Sequence, residues 1–362
     1  MPPGHSHRSK ASPKQDAIAR FLRSQIISGA LAPGARLPTR ADLEARFAVS
    51  SVTVQRALDA LNEHGFINAR GTLGTFVVER PPHLDRYALV FFNRPKSDGW
   101  LRFYDSLLTA STEVAAQTGH QVTPFFCSPD PAGERDHQRL QRALEAHALA
   151  GVIFTSHPYP LDGSPVLTTT NVARVAIMWG DDFPRIPKIA YDQRDFLAQA
   201  CAWCARHRRK GLALMTVQGQ FSTALIDELT ALHHLDSPAH WRQTVHPTHA
   251  PSARACAHLL VHDGQRQRPD ALLVSDDNLV EYALAGLADA GVRVGRDVEV
   301  VVHANFPEPR RAAASLMTNV QRLGYDARIT LATCVDLIDA QRLGRSPANH
   351  TVVQPRFADE AN

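Results

Sequence analysis

Two groups of residues in this sequence have the types and spacing to do chemistry. The first lies between positions 39 and 74. Ser51, Val52, Thr53, Gln55 and Arg56 crowd the start of one helical stretch, behind Ser50, and Thr39-Arg40 open the stretch before it. Hydroxyls and a helix N-terminus can hold phosphates, while Gln and Arg can read base edges. Arg70, Gly71, Thr72 and Gly74 follow in a glycine-bearing turn that can approach a polyanion closely, with Arg70 suited to a minor groove. The second group is dispersed. Asp276-Asp277 follow an apolar run, Asn305 follows another, and Trp100, Phe103, Trp179 and Asp192 trail further runs of that kind. Carboxylates and an amide around an aromatic face are the chemistry of binding a small polar ring such as a sugar.

Charge is divided in the same way. Residues 1–80 hold eleven Lys and Arg against six Asp and Glu, a balance of +5, whereas the remainder carries −2. A basic head on a near-neutral body suits a polyanionic partner for the head alone.

The elements that must position the first group are legible. Residues 1–13, rich in Pro, Ser, His and basic side chains, read as a flexible tail. Ile18, Leu22 and Ile26 share a helical face, which Gly29 ends. Pro33-Gly34 and Pro38 make a turn. Thr39 then caps a short helix over 40–47, with Asp42 placed for a capping box. Ser50 or Ser51 caps the next helix, whose stripe is Val54, Ala57, Leu58 and Leu61, and Gly65 closes it. Two short strands around Gly71 and Gly74 form a wing. The pattern is a winged helix-turn-helix over 14–79.

The run LPTRADLEARFAVSSVTVQRALDALNEHGFINARGTLGTFV resembles the DNA-binding domain of the GntR family of bacterial transcription regulators. It departs at three arginines usual on that family's DNA surface, where this chain has Ala41, Ser51 and Gln55. The resemblance therefore implies DNA binding by the same fold to a different operator.

Arg80-Pro81-Pro82-His83 predicts a stiff, non-helical linker within 80–85. Beyond it, over 86–357, apolar runs (87–92, 122–126, 152–155, 175–178, 212–217, 271–275 and 298–302) alternate with helical patterns (103–118, 135–148, 195–206, 224–232, 253–261 and 279–290). Such alternation predicts parallel sheets covered on both faces, and its length predicts two lobes. Ligands of open α/β sheets bind beyond the carboxyl ends of strands, where Trp100, Trp179 and Asp276 fall. Ser275-Asp276-Asp277 and the glycine-spaced approach to Val298–Val302 resemble the effector domain of the LacI/GalR family, related to periplasmic sugar-binding proteins. The family's hydroxyl-accepting Asp falls on Ala304, which shifts that role to Asp276 or Asn305. Asp192 reads as a helix cap in preference to a ligand contact.

The remaining signals exclude or discount. No apolar run is long enough for a membrane span, and the N-terminus lacks an apolar signal core. Five irregularly spaced cysteines fit a reduced, cytoplasmic chain. Cys201-x-x-Cys204 sits in one helix with no second ligand pair, so no metal site and no cofactor is expected. Phrases of hydrolases, zinc proteases and phosphate-binding loops are missing, so no catalytic residue is assigned. The expectation is an α/β protein: a winged helix followed by a two-lobed, periplasmic-binding-protein-like sensor. Its partners would be double-stranded DNA, as a near-palindromic operator gripped by a homodimer, and a small effector such as a sugar. A repressor is the leading reading. An activator, a carbohydrate-active enzyme with a winged head, and a solute-binding protein are the alternatives.

Overall fold

A computed structural model describes residues 13–170, 172–308 and 319–361. Residues 1–12 of the expected tail lie outside that range, and Pro13 is already the first residue of a helix. The head comprises α1 (Pro13–Ile27), α2 (Arg40–Phe47), α3 (Ser51–Glu63), β1 (Ile67–Ala69) and β2 (Thr75–Val77). Ile18, Leu22, Ile26, Leu43, Val54, Ala57 and Leu61 turn their apolar faces into one core. The expected capping box at Thr39 and Asp42 is present, and Gly65 takes the left-handed conformation (φ +80°) after α3. Arg36 forms an isolated antiparallel bridge to Phe76, so the segment before α2 lies along the two-stranded wing.

The expected non-helical linker is corrected. Pro82–Asp85 form a single helical turn, α4, because Pro at its first position already has helical φ and needs no N–H partner. The turn is fastened on several sides. The His83 ring stacks on Phe66 of the head at 5.8 Å, and His120 bonds Asp85 at 2.7 Å. Ala146 and Ala148 from the body complete the head's own core.

The body continues through β3 (Arg86–Phe91), α5 (Arg102–Thr118), β4 (Gln121–Phe126), α6 (Pro131–Glu145), β5 (Gly151–Phe154), α7 (Pro165–Thr168), β6 (Ala173–Ile177) and β7 (Lys188–Tyr191). It goes on with α8 (Gln193–Arg206), β8 (Leu212–Thr216), α9 (Thr223–Leu232), β9 (Arg242–Thr244), α10 (Ser252–Val261), β10 (Ala271–Val274), α11 (Asp277–Asp289) and β11 (Glu299–Phe306). The last elements are β12 (Val320–Asp326), α12 (Ala327–Arg342), β13 (His350–Val353) and β14 (Arg356–Phe357). Among the described residues two six-stranded sheets form, ordered β13-β7-β6-β5-β3-β4 and β14-β12-β11-β10-β8-β9. All pairings are parallel except β12 with β14. The seven strands expected from sequence are all present; β7, β9, β12 and the two C-terminal strands, together with α12, were not anticipated.

The chain crosses between lobes three times: after Tyr191, after Asp326, and between Val353 and Arg356. These crossings are bonded to one another. Tyr325 donates its hydroxyl to the Asp192 carbonyl at 2.9 Å, and Asp192 N–H donates to the Val353 carbonyl at 3.0 Å. The Tyr191 and Tyr325 rings lie 4.4 Å apart. From the second crossing α12 runs back along the first lobe. At its far end Asp339 accepts from the Tyr87 hydroxyl (2.8 Å), and Arg342 donates to the Leu84 carbonyl of α4 (3.3 Å).

Candidate nucleic-acid interface and effector cleft

The head divides its residues cleanly. In α3, Val54, Ala57, Leu58 and Leu61 are buried, whereas Ser51, Val52 and Arg56 are exposed and Thr53 and Gln55 half-buried. Ser50 is the N-cap by backbone geometry, yet its hydroxyl meets the Thr53 hydroxyl at 3.2 Å and makes no bond to the helix backbone. The first-turn N–H groups of α3 thus have no side-chain cap, unlike those of α2. There Thr39 accepts from Asp42 N–H at 3.2 Å, and the bonds from Thr39 hold the Asp42 carboxyl below its usual range. Thr39 is therefore committed to its cap, beside an exposed Arg40. Gln55 donates to Asp59 at 2.7 Å. Among the described residues the guanidinium groups of Arg40 and Arg56 make no bond.

In the wing, Arg70 lies 4.8 Å over the Phe76 ring and 3.8 Å from Glu79, still largely exposed. Gly71 (φ +58°), Thr72 and Leu73 form a tight turn, and Gly74 (φ +108°) completes the tip. The guanidinium of Arg36 packs on Gly74, where a Cβ would stand 2.9 Å from Nε. Sequence reasoning passed over Arg36 because it lies in a Pro-Gly turn forty residues away from the tip it joins.

The polar residues of the second lobe that face the first gather at the carboxyl ends of β10 and β11. Asp276 caps α11, accepting from Asn278 N–H (2.9 Å) and its side-chain amide (2.8 Å). Asp277, passed over in favour of Asp276, is half-buried and the more strongly shifted of the two acids. Burial foremost, and the neighbouring Asp276 charge, push its pKa up to about 7, while an amide bond from Asn305 at 2.8 Å opposes the rise. Asn305 and His303 share one face of β11. Ala304 faces the other side and packs on Phe306, Ala358 and Ala361. Strand alternation thus puts 303 and 305 on the face opposite Ala304. His303 stands among Phe196 (5.5 Å) and Tyr325 (5.8 Å). Burial lowers its pKa to about 4, and its Nδ1 is buried without a partner.

The other expected effector residues are not all together. Phe103 sits edge-on to Tyr191 at 5.9 Å, and so belongs to the aromatic run Phe103–Tyr191–Tyr325–Phe196 along the crossings. Trp100 is packing: it lies on Phe91 and Tyr104, and its Nε1 bonds Asp105 at 2.9 Å. Trp179 is 74% exposed, edge-on to His157 at 4.6 Å in a separate group with Tyr159. Asp192 caps α8 by accepting from Asp195 N–H, as expected. The lobes meet directly at α5: Arg102 N–H donates to Asn278 (3.1 Å), its guanidinium pairs with Glu281 (3.0 Å), and the Ser106 hydroxyl donates to the Asn305 carbonyl (3.2 Å). Cys201 and Cys204 are fully buried on the core face of α8, where burial pushes the Cys201 thiol up to about 12.

Comparison with known proteins agrees with both halves. Residues 14–77 match the family of bacterial regulatory proteins, gntR family, and residues 201–357 match the periplasmic binding protein-like domain. The mannosyl-D-glycerate transport/metabolism system repressor MngR of Escherichia coli (strain K12) is 38% identical over 110 residues, 30% of this chain and 46% of that protein. The arabinose metabolism transcriptional repressor of Halalkalibacterium halodurans is 23% identical over 139 residues, 37% of this chain and 35% of that one. The chain spans about half or less of the length of these curated relatives. Among solved structures, a LacI transcriptional regulator from a Rhodococcus species superposes with a TM-score of 0.58 at 17% identity, covering 75% of this chain and 96% of that one. A transcriptional regulator CelR–cellobiose complex gives 0.55 at 16% identity, covering 85% and 90%. At such identities the likeness is one of fold. Among the described residues no helix is long and apolar enough to cross a membrane.

Proposed function

We infer that this chain, which joins a GntR-family winged helix to a periplasmic-binding-protein-like domain, is a ligand-responsive transcriptional repressor. The division of labour is 14–79 for DNA, 80–85 for the junction and 86–357 for the effector. The observation that carries the reading is the exposed, uncapped first turn of α3 beside the wing, on a head packed directly onto a two-lobed body. Such a turn enters a major groove N-terminus first. A homodimer presents two such turns to a near-palindromic operator in the cytoplasm. The effector is a small polar molecule, a carbohydrate in the first instance, bound without chemical turnover between Asp277, Asn305 and His303 on one lobe and Phe103 and Tyr191 on the other. Because the effector and DNA each favour one arrangement of the lobes, each weakens or strengthens the other by the same factor. The names of the relatives, repressors of sugar metabolism, support both the effector class and the direction of control.

The test begins with genomic fragments retained by the purified protein. Arg56→Ala lowers affinity for the retained fragment by one to two orders of magnitude, as loss of a base or phosphate contact of roughly 1–3 kcal/mol requires, without changing thermal stability. Arg70→Ala lowers the salt slope by about one. Retention of no duplex DNA at low salt by the wild type overturns the reading. For the cleft, a sugar that raises the melting temperature of the wild type fails to do so for Asn305→Ala.

A further inference from the structure

The tip of the wing presents an apolar side chain that no core claims. Leu73 is 66% exposed. It is held in place by a closed set of backbone bonds: Arg70 N–H to Gly74 carbonyl (2.8 Å), Leu73 N–H to Arg70 carbonyl (3.1 Å) and Gly74 N–H to Gly71 carbonyl (3.3 Å). Behind the tip, Leu37 N–H bonds the Thr75 carbonyl and Val77 N–H the Ala35 carbonyl, both at 2.9 Å, so the hairpin is braced by the segment before α2. Leu73 is therefore offered on a rigid support, and little conformational freedom is left to lose on contact.

Its surroundings identify the partner. Arg36 packs on Gly74 and Arg70 lies over Phe76, 3.8 Å from Glu79, so both guanidinium groups sit against the β2 arm just below the tip. Cations alone would serve for phosphates, and an apolar residue alone would suit a protein surface. A narrow tip with an aliphatic point ahead of two arginines fits a minor groove about 6 Å wide, whose negative potential attracts Arg. Apolar side chains that enter that groove wedge between base steps and kink the duplex.

We propose that Leu73 is a minor-groove wedge, backed by Arg36 and Arg70, that opens a flexible pyrimidine–purine step flanking the half-site read by α3. This rests on the DNA-binding reading above. It adds a specificity determinant in which the wing selects its site by how easily the step unstacks.

The test uses the full chain and a duplex fragment retained by the wild type, with 2-aminopurine moved base by base through the flanks of each half-site and the bend followed by energy transfer between the ends. The wild type brightens one step and bends the duplex. Leu73→Ala abolishes both and loses roughly ten-fold in affinity, with an unchanged salt slope. Arg36→Ala lowers that slope by about one. Leu73→Lys gains affinity for unrelated DNA and does not restore the brightening. A fragment bound by Leu73→Ala with wild-type affinity and bend overturns the wedge while leaving DNA binding intact. No fragment retained by the wild type overturns both. A change of oligomeric state in Leu73→Ala without DNA overturns the wedge and gives the residue to a second copy of the chain.

Discussion

The molecule has two internal seams, and they are built differently. Between head and body the seam is apolar and aromatic: Ala146 and Ala148 are buried in the head's core, and His83 stacks on Phe66. Between the lobes polar bonds join an apolar, aromatic backing: Arg102 pairs with Glu281 and Asn278, Ser106 with the Asn305 carbonyl and Tyr325 with the Asp192 carbonyl, while Phe103, Tyr191, Tyr325 and Phe196 pack along the crossings. An apolar seam has no substitute partner in water and resists opening. A polar one exchanges each bond for a water bond at a net cost of only about 1 kcal/mol.

Three substitutions probe this contrast. The largest effect belongs to Ala148→Arg, which drives a charged side chain into the apolar seam beside Phe66 and its overlying Arg23. A loss of about 3–5 kcal/mol follows, and calorimetry shows the head melting ahead of the body. A single transition at the wild-type temperature would refute the apolar seam.

Next is Asp277→Asn, at the edge of the polar seam. Its surroundings push the native carboxyl up to about 7, against about 4 in an unfolded chain. Between those values the folded protein keeps a proton that the unfolded chain has lost, so this residue's contribution to stability falls as pH rises from 4 to 7. The amide variant escapes that loss. Its melting temperature relative to wild type climbs by a few degrees between pH 4 and 8, and a pH-independent difference would count against a proton-holding acid.

The smallest effect is that of Glu281→Gln. Removing the partner of a partly exposed Arg102 costs at most about 1 kcal/mol. It is read as up to roughly five-fold faster hydrogen exchange at 102–106, with exchange in the head unaltered. Equal acceleration in the head would mean that the seams are not independent.

Legibility in the sequence followed the reach of the interactions. The head was readable almost residue by residue because its signals are local: the Thr39–Asp42 box, the stripe Val54–Leu61, glycines after helices. The strands 87–92 and 271–275 stood out as continuous apolar runs. Strand β12, Val-Gln-Arg-Leu-Gly-Tyr-Asp, did not, since its first half carries polar side chains and its burial comes from pairing with β11. Helix α12 was hidden for a related reason: its partners, α5 and the first-lobe sheet, lie some two hundred residues earlier. At the cleft, sequence order favoured Asp276, whereas the fold gives it a capping role and turns Asp277 to Asn305. Alternation along β11 was the available signal, and it separates His303 and Asn305 from Ala304. Trp100 and Trp179 show the limit of composition: an indole suits a ligand and a neighbouring ring equally well.

Helix α12 starts at a lobe crossing and ends on the turn beneath the head. Sixteen residues at 1.5 Å each make a stiff rod about 24 Å long. A tilt of roughly 5° at the crossing carries its far end about 2 Å sideways, so that a small adjustment between the lobes arrives beneath the head as a displacement of atomic size.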